Sequence, residues 1–137
     1  MPADFFIDAK RNMVFSKGAG LLSHADVLQH MDRLHAHPAF LPGFNQLLDF
    51  REVISTTISS AQVAELAKRT IFGPTSQRAF VVSADWQFGI ARMFGAYREI
   101  RGETGIVVFR EMRPALEWLS LPAEPDAGLF VNLGPVT

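Results

Sequence analysis

The chain has 137 residues, 48% of them hydrophobic, with 13 basic and 14 acidic side chains and a formal net charge of -1. That length and apolar content suit one domain with a real core and exclude general disorder; the balanced charge excludes a broad phosphate-binding face, so no nucleic-acid partner is expected. With no cysteine, disulfides, thiolate nucleophiles and cysteine metal sites are excluded as well.

The opening string Met1-Pro2-Ala3-Asp4 lacks the basic start and apolar run of a signal peptide. No apolar stretch reaches the roughly 18 residues of a membrane span. A cytoplasmic protein without a membrane span is the expectation.

Phe5 to Asp8 and Met13 to Ser16 are short apolar runs around a polar turn at Ala9 to Asn12, the pattern of a β-hairpin. Gly18-Ala19-Gly20 then releases the chain from the sheet. Ser23 caps a helix, with Asp26 three residues on and Val27, Leu28, Met31 and Leu34 along one stripe. His37-Pro38 ends it, since the residue before proline is pushed out of the α region. Asn45 to Val53 reads as a buried strand and Ser55-Thr56-Thr57 as a loop.

Ser59 and Gln62 form a capping-box pattern ahead of Val63, Leu66, Ala67 and Thr70. Arg78 to Ser83 holds a strand buried on both faces. Asp85 is placed to cap the next helix, in which Trp86, Ile90, Met93, Tyr97 and Ile100 make the main apolar face. Ile106 to Phe109 is a further strand, and Pro114 opens a last helix through Leu119. The tail from 122 to 137 contains the apolar run Leu129 to Leu133, which suits a free tail, an edge strand or an arm on a partner subunit.

The order is β-β-α-β-α-β-α-β-α. Strands joined by helices pair parallel with right-handed crossovers, and the hairpin adds an antiparallel member. The predicted fold is α/β: a single domain with a mixed sheet of about five strands packed with about four helices, its core at 4–121.

Several residues invite a chemical reading. At about 100° per residue, His24 and His35 share one helix side and His30 and His37 another. Both pairs are too far apart along the axis for one ion, so solvated histidines are expected and no metal. Asp49 and Arg51 share one side of a strand at its carboxyl end, where open α/β sheets bind ligands. A loop salt bridge or a cap accounts for them without a ligand. Ser83 and Asp85 lie at the corresponding end of the next strand, and Ser59 at a helix start where an anion would be welcome. On the far side of the Trp86–Ile100 helix, Phe88 and Arg92 join Ala91 and Gly95 in a stripe that suits a partner, and Gly89 and Ala96 permit another helix to approach. The nucleophile elbow, the full dinucleotide fingerprint and the Walker loop are all missing from the sequence.

The element order joins a set of local strings: His37-Pro38-Ala39-Phe40, then Gly43-Phe44-Asn45-Gln46-Leu47-Leu48-Asp49-Phe50-Arg51-Glu52-Val53, then Arg78-Ala79-Phe80-Val81-Val82, Phe88-Gly89-Ile90-Ala91-Arg92-Met93-Phe94, and Val108-Phe109-Arg110 leading to Ala115-Leu116-Glu117-Trp118-Leu119. With that order and spacing, the chain from Gly20 to Leu121 resembles the SpoIIAA-like proteins, bacterial relatives of the STAS domain. The resemblance implies a STAS-like fold and a non-enzymatic switch acting through a protein partner or as a homodimer, without a cofactor. It does not carry over a phosphorylated serine. The Asp-Ser pair of phosphorylated STAS domains is missing, and Thr57-Ile58 stands in its place. The same family is similar in topology to lipid-binding CRAL-TRIO domains, which implies the alternative of a carrier for a small apolar or lipid-like ligand, in keeping with 12 phenylalanines. A third reading is an enzyme with a polar cleft around Asp49, Arg51 and Asp85.

Overall fold

The computed structural model of the chain describes residues 2–69 and 71–122. Thr70 and the apolar run of the C-terminal tail lie outside the described residues. The elements follow in the predicted order: β1 (Ala3–Asp8), β2 (Met13–Leu22), α1 (His24–Ala36), β3 (Asn45–Thr56), α2 (Ser60–Leu66), β4 (Arg78–Val81), α3 (Asp85–Ile100), β5 (Ile106–Phe109) and α4 (Met112–Trp118). The strands form one sheet in the order β1-β2-β3-β4-β5. β1 runs antiparallel to β2, and β2 through β5 are parallel, so the mixed α/β sheet is the one expected.

Local chemistry sets the ends of the elements. Asn12 closes the hairpin turn at φ 54°, a conformation asparagine tolerates. The Ser23 hydroxyl accepts from the Asp26 amide at 3.1 Å while the Asp26 carboxylate accepts from the Ser23 amide at 2.9 Å. Ser59 and Gln62 repeat the exchange at 3.2 and 3.0 Å, so both helix starts satisfy donors that would otherwise lack partners.

A sheet in chain order with right-handed crossovers puts every crossover helix on the same face. α1, α2 and α3 therefore cover one side, where Met31, Leu34, Leu66 and Ala91 are buried with Val14, Phe80 and Val82 of the strands. α4 packs on the other side, where Met112, Ala115 and Leu116 meet Met13, Phe15, Leu47, Ala79 and Val81.

Four local expectations are corrected. Gly18 to Gly20 do not release the chain: β2 continues to Leu22, and Gly20 takes φ 68° where the register with β3 shifts. Ser55 and Thr56 belong to β3, because this longer β2 gives them strand partners in Leu21 and Leu22. The cap of α3 is Ala84, not Asp85, since Gln87 takes the amides of Ser83 and Ala84 on its side-chain oxygen at 2.8 and 3.1 Å. α3 also turns a different face inward. Gln87, Ala91 and Arg98 are buried, whereas Trp86, Tyr97 and Ile100 are 39%, 38% and 82% exposed. The inward polar residues are those with partners to meet, which an apolar count overlooks.

Candidate functional site

Alternation along the strands sends Ser16 of β2, Gln46 of β3 and Arg78 of β4 to the face covered by α1–α3, together with Val14, Leu48 and Phe80. Gln46 and Arg78 are direct neighbours in register. Above them lies a cavity of about 120 Å³. Its walls are apolar: Met31 and Leu34 from α1, Val63 and Leu66 from α2, Ala91 and Phe94 from α3. Half-buried Val27 and Ile58 and the exposed Trp86 stand where it meets the surface, beyond the carboxyl ends of the strands. That is the end where open α/β sheets bind ligands.

The floor is polar and buried. Arg78 donates through Nε to Gln46 Oε1 at 3.0 Å. A guanidinium has no acceptor, so this contact orients the amide and leaves Gln46 Nε2 to donate to Ser16 Oγ at 3.1 Å. Ser16 in turn meets His30 Nε2 at 3.1 Å. Burial lowers the His30 pKa from 6.5 to about 4, helped by the nearby Arg33 charge, so the ring is neutral near pH 7. In the tautomer with Nε2 unprotonated the neutral ring accepts the serine proton, and the donors then run in one direction from guanidinium to amide to hydroxyl to imidazole.

On its other edge, Arg78 Nη1 donates to both oxygens of Glu103 at 3.2 Å. Glu103 also accepts from Arg98 Nε at 2.8 Å, so one buried carboxylate serves two guanidinium groups. Arg98 Nη1 reaches back to the Ala67 carbonyl at 2.7 Å, joining α3 to the end of α2. Three rings surround the Arg78 guanidinium, with Phe72, Phe80 and Phe94 at 4.3, 5.4 and 5.7 Å to their centroids. Burial pulls the Arg78 pKa down from its ordinary value, and the Glu103 charge opposes that. The group remains a cation near neutrality.

The residues singled out from sequence fall elsewhere. Asp49 shares Leu47's side of the sheet, opposite the cavity, and is 2% exposed. Its Oδ1 accepts from the Arg51 amide and Nε at 2.9 and 3.0 Å, and its Oδ2 from Arg51 Nη2 at 3.0 Å. Asp85 pairs with Arg110 at 2.8 Å. Ser59 is a helix cap, and Ser83 donates to Gln87. Phe88 is half-buried, with the Arg110 and Arg92 guanidiniums 4.4 and 5.6 Å from its ring centroid. The structure thus joins Asp49 with Arg51, and Asp85 with Phe88 through Arg110, but does not gather the set into one cleft.

Among the histidines, no cluster of metal-ligating side chains forms among the described residues. The solvated state expected for the histidines is wrong for His30, which is buried against Ser16 and the Phe5 ring. Gln46 and Arg78 of the floor, and Arg98 and Glu103 linked behind it, are not among the residues the sequence singles out. The signal for Arg78 is a cation opening an otherwise apolar strand; nothing marks its partner Glu103, which sits in the irregular segment between α3 and β5.

No family model matches the chain, and neither does any curated protein. Among solved structures, an uncharacterised DUF3478 family protein with a SpoIIAA-like fold from Shewanella loihica PV-4 superposes with a TM-score of 0.57. The match covers 85% of this chain and 93% of that one at 18% identity, which establishes likeness of fold. The chain is a SpoIIAA-like α/β domain in architecture, as its strings and element order implied. No helix among the described residues is long and apolar enough to cross a membrane.

Proposed function

We propose that the chain is a binding module for a small, largely apolar molecule held between the sheet and α1–α3. The observation that carries this reading is the apolar cavity of about 120 Å³, reached past Val27, Ile58 and Trp86. Protein interiors pack to crystal-like density, and apolar walls that face open space forgo the dispersion contacts an apolar occupant would supply. Cavities of roughly 150 Å³ lined by aliphatic and aromatic groups accept benzene, so a group of about that size is the fit.

Native mass spectrometry of freshly purified protein and thermal shifts with toluene and cyclohexane test the proposal. A co-purifying mass, or stabilisation that Ala91→Leu abolishes by filling the cavity, is the expected result. No bound mass and no shift with any apolar probe would remove it.

A second reading, the protein-partner module implied by the family resemblance, is favoured by a different surface. β5 ends the sheet among the described residues, and its Val107 is 36% exposed. Beside it a groove of about 480 Å³ is lined by Gly89, Arg92, Gly95 and Ala96 of α3, part of the small-residue stripe seen in the sequence. An open strand edge next to a narrow helix face suits an added strand or a second copy. Light scattering over a concentration series, with Val107→Lys as control, tests the dimer. A monomer at every concentration would count against it.

A further inference from the structure

We infer that the ligand of this cavity is an anion, a small aromatic or branched aliphatic carboxylate whose acid group is received by Arg78; the inference rests on the cavity reading above. Arg78 lines the cavity and is only 7% exposed. Its Nε is held by Gln46 and its Nη1 by Glu103. Among the described residues, Nη2 has no hydrogen-bond acceptor. A buried guanidinium thus keeps a donor group unused in a pocket whose other walls are apolar, and its carboxylate is shared with Arg98.

Phenyl rings at 4.3 to 5.7 Å crowd the cation and leave Arg78 only 7% exposed, so a carboxylate docking there has little hydration of the cation to displace. In that low-dielectric setting a charge-assisted hydrogen bond is roughly twice as strong as a neutral one. Neutral His30 adds no competing charge. A dianion such as a phosphate ester is disfavoured, because one partly compensated cation cannot offset the desolvation of two charges. Volume limits the rest of the molecule to about the size of a benzene ring.

Matched pairs of probes test this on the full chain: benzoate against benzamide, and cyclohexanecarboxylate against its amide, with toluene as the uncharged reference, by isothermal titration. The acid is expected to bind at least about tenfold more tightly than its amide, and Arg78→Met to remove that preference while toluene still binds. If Arg78→Met does not fold, the comparison on the unaltered chain decides alone. Equal binding of acid and amide, or a preference for the amide, overturns the inference and leaves the cavity reading intact. Failure of every probe, toluene included, overturns both.

Discussion

Gln87 of α3 donates its side-chain amide to the backbone carbonyl of Val53 in β3 at 2.8 Å, so a helix side chain continues the sheet where β4 has ended. The same amide oxygen accepts from the amides of Ser83 and Ala84. One residue therefore satisfies the strand edge, caps α3 and lines the cavity. Gln87→Met keeps the volume and removes these bonds, taking the partner from the buried Val53 carbonyl and from the part-buried Ser83 and Ala84 amides. It is expected to destabilise the fold by about 2 kcal/mol or more, read from the urea midpoint at unchanged slope.

Glu103 holds Arg78 and Arg98 together across 25 and 5 residues of sequence. Removing its charge leaves two guanidinium groups buried side by side. Glu103→Gln is expected to cost about 3–5 kcal/mol. The double variant Glu103→Gln with Arg98→Met should recover part of that loss. Chemical denaturation of the three variants checks the coupling, and strict additivity would disprove a shared network.

His30 makes stability depend on pH. Its pKa is lowered from 6.5 to about 4 in the folded chain, so between those values the unfolded chain binds more protons. Stability should therefore be full above pH 6.5, fall as pH drops through that window, and level off below about 4, a total loss of about 3 kcal/mol. Denaturation curves at pH 4 to 7 check this. His30→Gln, which keeps a partner for Ser16, should flatten this part of the slope.

Gly105 lies where β5 approaches the loop ahead of β4, and its carbonyl accepts from the Arg78 amide at 2.8 Å. A methyl group there would collide with the Ser76 carbonyl. Gly105→Ala must move backbone and not a flexible side chain, so a loss of about 1–3 kcal/mol is expected. Because the shift falls beside Arg78, benzoate binding should weaken with it. An unchanged melting temperature would argue that the loop yields freely.

The elements legible in the sequence are those whose causes are local. Ser23 with Asp26, and Ser59 with Gln62, start their helices through bonds three residues long. The apolar run Ala79 to Val82 needs no distant partner to read as a buried strand. Chain order then follows from crossover handedness, which places three helices on one face whatever the side chains are.

The candidate site was not legible because its members are polar residues buried by remote partners. Arg78 meets Gln46 across 32 residues and Glu103 across 25; Gln87 meets Val53 across 34. Judged alone, each is a polar residue that belongs outside, and the helix α3 is then read with the wrong face inward. Periodicity by itself determined the strands, the helices and their order, since those depend on neighbours a few residues away. Only the tertiary structure decided which polar groups went inside, because desolvating a charge is tolerable solely where a partner from another element waits to receive it.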